Sequence, residues 1–331
     1  MSYFLAGDIG GTKTLLQIFK EGSVHEPLLR KSYSSVSYAG LEDIVSAFLV
    51  EANVSDVTAA CFALAGPVSG RVASLTNLPW VVNADVLAAR FGIERITLIN
   101  DFEAVGLGVA AMEAADLLLL QQGVEQEQGL RVVVGAGTGL GVAWLNVQNG
   151  KYIVHPSEGG HLDFAPIDET QYELLRYLQQ RHHHVSYERI VSGPGLVTIF
   201  EFLRDTNRAA PSVELAAAMS NGDAAAVISS FAREQQEEIA VKSLNLFTKI
   251  YGAFVGNIAL VALPRGGIYI AGGIAAKISS QMQTGCFMQT FLDKGRFKDL
   301  LATLPMFIVL NPEIGLLGAS VQAMESKQNY L

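Results

Sequence analysis

Twice in this chain a short apolar run enters a glycine and threonine loop and leaves it directly as another apolar run. Tyr3-Phe4-Leu5-Ala6 leads into Gly7-Asp8-Ile9-Gly10-Gly11-Thr12-Lys13-Thr14 and then Leu15-Leu16-Gln17-Ile18-Phe19. Arg131-Val132-Val133-Val134 leads into Gly135-Ala136-Gly137-Thr138-Gly139-Leu140-Gly141 and then Val142-Ala143-Trp144-Leu145-Asn146-Val147. Glycines let a backbone turn tightly and approach a ligand without Cβ atoms in the way, so N–H groups and threonine hydroxyls can face anionic oxygens. A Walker-type phosphate loop would need Gly where Thr12 stands and a helix after the lysine. A Rossmann fingerprint would need Gly at position 140 and a helix next. Either loop alone reads equally well as a plain hairpin turn. Two in one chain point to a duplicated unit, one copy per domain, with phosphates held between them.

Between the loops, Ile96-Thr97-Leu98-Ile99-Asn100-Asp101 reads as a buried strand whose last residues emerge at a sheet edge, where the clefts of α/β sheets lie. The segment from Phe102 to Met112 is apolar at helical intervals. Asp101 is then either a helix cap or a carboxylate placed to meet a substrate hydroxyl. The pattern also predicts helices over Leu41 to Val50 and Val86 to Phe91, a strand over Thr58 to Ala65, and a returning strand and turn over Arg71 to Trp80. Strands and helices alternate, so the class is α/β.

A chain of 331 residues, half of them apolar, is long enough for two domains with sizeable cores. Its formal charge of −9, without a Lys/Arg cluster, argues against a nucleic-acid or anionic-membrane partner. Cys61 and Cys286 lack metal-ligand spacing, which excludes a disulfide framework or structural zinc finger and leaves two ordinary buried thiols. No basic region followed by an apolar stretch precedes Asp8. The apolar tract from Tyr251 to Ala276 is broken by Pro264-Arg265-Gly266-Gly267 and falls short of a membrane span. The expectation is a soluble cytoplasmic protein.

In the second half, a Gln- and Glu-rich linker covers Gln121 to Gly129, and helices are predicted over Gln171 to Arg181 and Leu196 to Arg204. Ser157-Glu158-Gly159-Gly160-His161 sets a carboxylate and an imidazole around two glycines, a pair able to hydrogen-bond sugar hydroxyls. His182-His183-His184 cannot converge on one ion and reads as a solvated turn, while Glu188 is surface charge or a second sugar-binding carboxylate. Ile239, Leu246, Phe247, Ile250, Phe254 and Ile258 line one face of a long helix, as core or as a dimer surface. Gly266 to Ala271 is a strand, and Gly272-Gly273-Ile274-Ala275 opens a helix whose turn either packs tightly or admits an adenosine or phosphate group.

Together these segments resemble the bacterial glucokinases of the actin-like ATPase-domain superfamily, in the branch without a zinc-binding cysteine cluster. The resemblance runs from Gly7 to about Ala319 and rests on Gly7-Asp8-Ile9-Gly10-Gly11-Thr12, Ile99-Asn100-Asp101-Phe102, the Gly135–Gly141 loop, Glu158-Gly159-Gly160-His161, the segment from Glu188 to Gly195 and Ala271-Gly272-Gly273-Ile274. Lys13 stands where this branch more often has Asn, and Ser157 where it commonly has Gly.

The resemblance implies two actin-like, ribonuclease H-like α/β domains around a hinged cleft. The small domain would be residues 1–111 completed by 312–331, the large one 112–311. It implies transfer of the ATP γ-phosphoryl group to the 6-hydroxyl of glucose, with Asp101 as the catalytic carboxylate and Asn100, Glu158, His161 and Glu188 as sugar ligands. Gly7, Asp8, Ile9, Gly10, Gly11, Thr12, Gly137, Thr138, Gly272 and Gly273 would bind the nucleotide. Asp8 would hold Mg²⁺ through water, no structural zinc is implied, and a homodimer is usual for the family.

Three rivals stand beside this reading. One is a kinase for mannose, fructose or an N-acetylhexosamine; another is a sugar-responsive transcriptional regulator, which would need a DNA-binding module, or another non-catalytic sugar sensor on the same scaffold. The third, a nucleotide-dependent oxidoreductase, is disfavoured by both failed fingerprints.

Overall fold

The computed structural model describes residues 2–326. In chain order the elements are β1 (Tyr3–Ile9), β2 (Lys13–Lys20), β3 (Leu29–Ser34), α1 (Leu41–Ala52), β4 (Val57–Leu64), β5 (Val68–Ser69), β6 (Val72–Ser74), β7 (Val81–Asn83), α2 (Ala84–Phe91), β8 (Arg95–Asn100) and α3 (Asp101–Ala111). Then come β9 (Leu117–Gln121), β10 (Arg131–Ala136), β11 (Leu140–Gln148), β12 (Lys151–Ser157), α4 (Glu169–Gln179), α5 (Gly193–Asp205), α6 (Val213–Asn221), α7 (Ala224–Ser230) and α8 (Glu238–Ala262). The chain closes with β13 (Gly267–Ala271), α9 (Gly273–Lys277), α10 (Ser279–Thr284), α11 (Cys286–Leu292), α12 (Lys298–Ala302), β14 (Met306–Val309) and α13 (Ile314–Glu325). Backbone contacts define two compact units. Unit 1 takes the chain up to Asp116, Gln148–Pro156 and the chain from Asn311; unit 2 takes Leu117–Val147 and Ser157–Leu310. Residues 327–331, the end of the expected 312–331 segment, lie outside the described residues.

Unit 1 carries a sheet of order β3-β2-β1-β4-β8. β1 runs antiparallel to β2 and parallel to β4, which runs parallel to β8. The register aligns Ile9 with Leu64 and Leu64 with Asn100, so three parallel strands end at one level. Inward residues such as Leu5, Ile18, Phe62 and Leu98 form its core with Phe48 of α1 and Leu87 of α2. α13 packs against α3, with the Ala104 carbonyl meeting Gly318. The expected returning strand and turn over Arg71 to Trp80 are present as β6 and the turn after it, and β6 pairs antiparallel with β5 and β7 in a small three-stranded sheet.

Unit 2 repeats the arrangement. β10 runs antiparallel to β11 and parallel to β13, which runs parallel to β14, with β9 antiparallel at the edge. Gly135 stands level with Ala271, so the second glycine loop and the Gly272-Gly273 turn leave the same sheet edge. The expectation of a duplicated strand, loop and strand is thus realised as two sheets with matching strand directions.

α8 is the central helix of unit 2. Ile239, Phe247, Ile250, Phe254 and Ile258 are all buried in the unit's own core, so the stripe is core and not a dimer surface. The helix is long and apolar enough to cross a membrane, yet 72% of its most apolar window is buried inside the protein. Cys61 is buried as expected, but Cys286 is only half-buried, because it opens α11 at the surface of α8. Gln121 is no linker residue: it ends β9, and its Nε2 donates to the carbonyls of Leu301 and Leu304.

Candidate active site

The first loop is a tight hairpin turn. The Gly10 N–H donates to the Lys13 carbonyl at 2.9 Å, leaving Gly11 and Thr12 at the tip. Ser35 locks it, because its hydroxyl donates to the Gly10 carbonyl at 2.8 Å, stands 2.9 Å from Thr14 Oγ1, and its N–H donates to the Thr12 carbonyl. Strand alternation turns Gly7 and Ile9 toward the core, so they present only backbone to the loop's outer side. Asp8 points the other way. Burial and the neighbouring Asp101 carboxylate push its pKa up to about 6 against the opposing pull of Lys13, with Glu313 adding to the rise.

At the end of β8, the cap of α3 is Asn100 and not Asp101. Asn100 Oδ1 accepts the N–H groups of Phe102 and Glu103 at 2.9 and 3.3 Å, and its Nδ2 donates to the Gly66 carbonyl. Asn100 therefore keeps one amide hydrogen for another acceptor. Asp101 Oδ1 takes the Phe102 N–H at 2.8 Å, which orients the carboxylate. Asp8, Asn100 and Asp101 are brought together at one end of the unit 1 sheet. Sequence reasoning missed two neighbours there. Ser35 follows a polar edge strand that looks like a loop, and Asn77 packs so closely on Gly11 that a Cβ at position 11 would lie 2.8 Å from it.

In unit 2 the second loop is closed by the Gly137 N–H on the Gly139 carbonyl and pinned by the Gly193 N–H on the Gly137 carbonyl, at 2.9 and 2.8 Å. The first turn of α5 thus holds the loop. Ser192 caps that helix through the Gly195 N–H, and its hydroxyl donates to the Glu188 carbonyl. Glu188 Oε2 in turn accepts the Leu140 N–H at 2.9 Å. His161 Nε2 lies 3.9 Å from Glu188 Oε1 and 4.0 Å from Glu158 Oε2. These gaps exceed direct hydrogen bonds and match three polar groups arranged around a shared acceptor or donor.

Gly137, Thr138 and Gly273 line one cavity of about 450 Å³, within the range of small-molecule sites. Gly272, outside that lining, holds φ at +87° with its Cα against the Ala136 carbonyl, a conformation and clearance only glycine provides. His182 to His184 form no metal cluster; His184 pairs with Asp163 at 2.8 Å. Among the described residues, no group of three or more His, Cys, Asp or Glu is placed to hold a metal.

The duplicated fold is that of the actin-like ATPase sugar kinases. A glucokinase from an Antarctic psychrotroph superposes with a TM-score of 0.81 at 26% identity, covering 98% of this chain and 99% of its own. A ROK family glucokinase from Streptomyces griseus, solved with glucose and AMPPNP, shares the fold at a TM-score of 0.67 and 20% identity over 98% of this chain and 99% of its own. The Glucokinase family model matches residues 5–326. The curated glucokinase of Nostoc punctiforme is 43% identical over 338 residues, 98% of this chain and 99% of the relative. The chain belongs to the glucokinase family.

Proposed function

We propose that the protein transfers the γ-phosphoryl group of ATP to the 6-hydroxyl of D-glucose, yielding glucose 6-phosphate and ADP. The observation that carries this reading is the near-full-length relationship to enzymes named glucokinase. Glu158, His161 and Glu188, converging beside a phosphate-type loop, agree with it. Asp101 accepts or orients the proton of the attacking hydroxyl. Because phosphoryl-transfer transition states are usually loose, its main contribution is positioning.

Asn100, Glu158, His161 and Glu188 bind the other sugar hydroxyls. The loop at Gly7 to Thr12 and the group Gly137, Thr138, Gly272 and Gly273 hold the nucleotide. Asp8 fits an Mg²⁺ site reached through water, since a half-buried carboxylate beside a second one gains from a cation. Magnesium, when bound, neutralises charge on the phosphate oxygens. The reading extends to a cytoplasmic homodimer, which sedimentation of the purified protein tests.

The direct test is ADP release from MgATP with glucose, mannose, fructose, N-acetylglucosamine or no sugar, repeated with ADP and polyphosphate as donors. Stimulation by glucose with ATP is the expected result. A preference for another hexose moves the protein to a different acceptor on the same scaffold, and silence with every sugar overturns the kinase reading.

A further inference from the structure

The cavity behind Gly137, Thr138 and Gly273 is lined largely by apolar side chains, among them Leu196 and Val197 of α5, Ala225 of α7 and Ile274 of α9. Such a slot suits a heterocyclic base. Thr138, Asp223 and Lys277 add polar groups to the wall, Asp223 already accepting the N–H groups of Ala225 and Ala226 at the start of α7; Ser229 differs from them in holding a buried, unpaired hydroxyl. It is 7% exposed, belongs to the lining, and its Oγ is buried without a hydrogen-bond partner.

A helical serine ordinarily returns its hydroxyl to the carbonyl four residues earlier. Ser220 does so on Ala216 at 3.0 Å, Ser243 on Ile239 at 2.7 Å and Ser320 on Leu316 at 2.7 Å. Ser229 makes no such bond to Ala225, although its own carbonyl accepts from Arg233 Nε at 3.2 Å. Buried polar groups are nearly always paired, and an orphan hydroxyl in a cavity wall is completed by whatever fills the cavity.

We propose that Ser229 reads the base of the nucleotide: its hydroxyl pairs with the polar edge of a purine seated against α7. This rests on the reading that the cavity takes the adenosine part of ATP. A hydroxyl both accepts and donates, so it can take a hydrogen from the 6-amino group and give its own to a ring nitrogen.

The test is Ser229→Ala, which removes only the oxygen, with thermal melting to confirm folding. Calorimetric titration of the wild-type protein with MgAMPPNP comes first, because no binding there overturns the cavity assignment and this inference with it. Given binding, the variant should show a Kd for AMPPNP and a KM for ATP raised about three- to tenfold, the range of one neutral hydrogen bond. Its kcat and KM for glucose should stay unchanged. Purine riboside triphosphate, which lacks the 6-amino group, separates the partners. A wild-type preference for ATP that closes in Ser229→Ala places the hydroxyl on the amino group; equal loss with both donors places it on a ring nitrogen. Wild-type values for both donors in the folded variant overturn the proposal and leave the kinase reading standing.

Discussion

The backbone N–H of Leu140 donates to Glu188 Oε2 at 2.9 Å, joining the second glycine loop to a carboxylate proposed to hold the sugar. The other oxygen of Glu188 is left facing His161 Nε2 at 3.9 Å. One backbone amide thus fixes the aim of a side chain from an element 48 residues further along. Loop and proposed sugar ligand share the same contact, so displacing one displaces the other.

Gly139→Ala tests that coupling. A Cβ at position 139 would stand 2.6 Å from Glu188 Oε2, closer than real contacts allow, so the carboxylate must swing away and lose the Leu140 N–H. A hydrogen bond to a charged group contributes about 1.5 to 3 kcal/mol, so the KM for glucose should rise by roughly one order of magnitude or more. Circular dichroism should match wild type. An unchanged KM for glucose in a folded Gly139→Ala enzyme would remove Glu188 from the sugar site.

Much of the local structure around this candidate site was legible because it sits in contiguous motifs. The two loops read as strand, turn and strand, and the structure pairs Ile9 with Thr14 and Ala136 with Leu140 across them. What the sequence hid were features that depend on tertiary partners. β3, Leu-Arg-Lys-Ser-Tyr-Ser, buries only Tyr33 and looks like a polar loop, yet as an edge strand it needs just one packed face. Asp101 invited a capping role by residue type, but the cap fell to Asn100 since β8 runs one residue further than the last apolar position. Ser229 carried no signal at all, because a serine in an alanine-rich helix is unremarkable until its hydroxyl proves unpaired.

Asp101→Ala should fold and bind glucose yet lose about two to four orders of magnitude in kcat, the span of general-base loss. The motivating geometry is the Phe102 N–H that orients Asp101 Oδ1 at the end of the unit 1 sheet. Steady-state kinetics, with glucose binding followed by intrinsic fluorescence, check it. Wild-type turnover from the variant would overturn Asp101 as the catalytic carboxylate.

Asp8→Asn should trade activity for stability. Burial and the Asp101 carboxylate raise the Asp8 pKa from 3.8 to about 6, so the folded state holds the proton more tightly than the unfolded chain does. Ionised Asp8 therefore works against folding above pH 6, by about 3 kcal/mol at roughly 1.4 kcal/mol per unit; this penalty shrinks as pH falls through 6 and is gone below about pH 4. In chelator-treated protein, Asp8→Asn should raise the urea midpoint at pH 8, with about half that gain at pH 5, while kcat with MgATP falls sharply. A variant no more stable than wild type at pH 8 would show that Asp8 is already relieved by its surroundings.

Leu263→Gly addresses the end of α8. Leu263 holds φ at +47° and donates its N–H to the Ala259 carbonyl, closing the helix in the left-handed conformation directly before Pro264. A side chain with a Cβ is strained there by about 1 to 2 kcal/mol, and a following proline restricts the residue further. Glycine at this capping position removes the clash. Part of the gain is offset by the greater freedom of glycine in the unfolded chain and by the loss of a side chain that is 41% exposed. A net stabilisation of about 0.5 to 1 kcal/mol should remain, read as a small rise in urea midpoint with unchanged glucose kinetics. A fall in midpoint would mean that the buried part of Leu263 outweighs the strain, and that the helix end is held by packing and not by its turn.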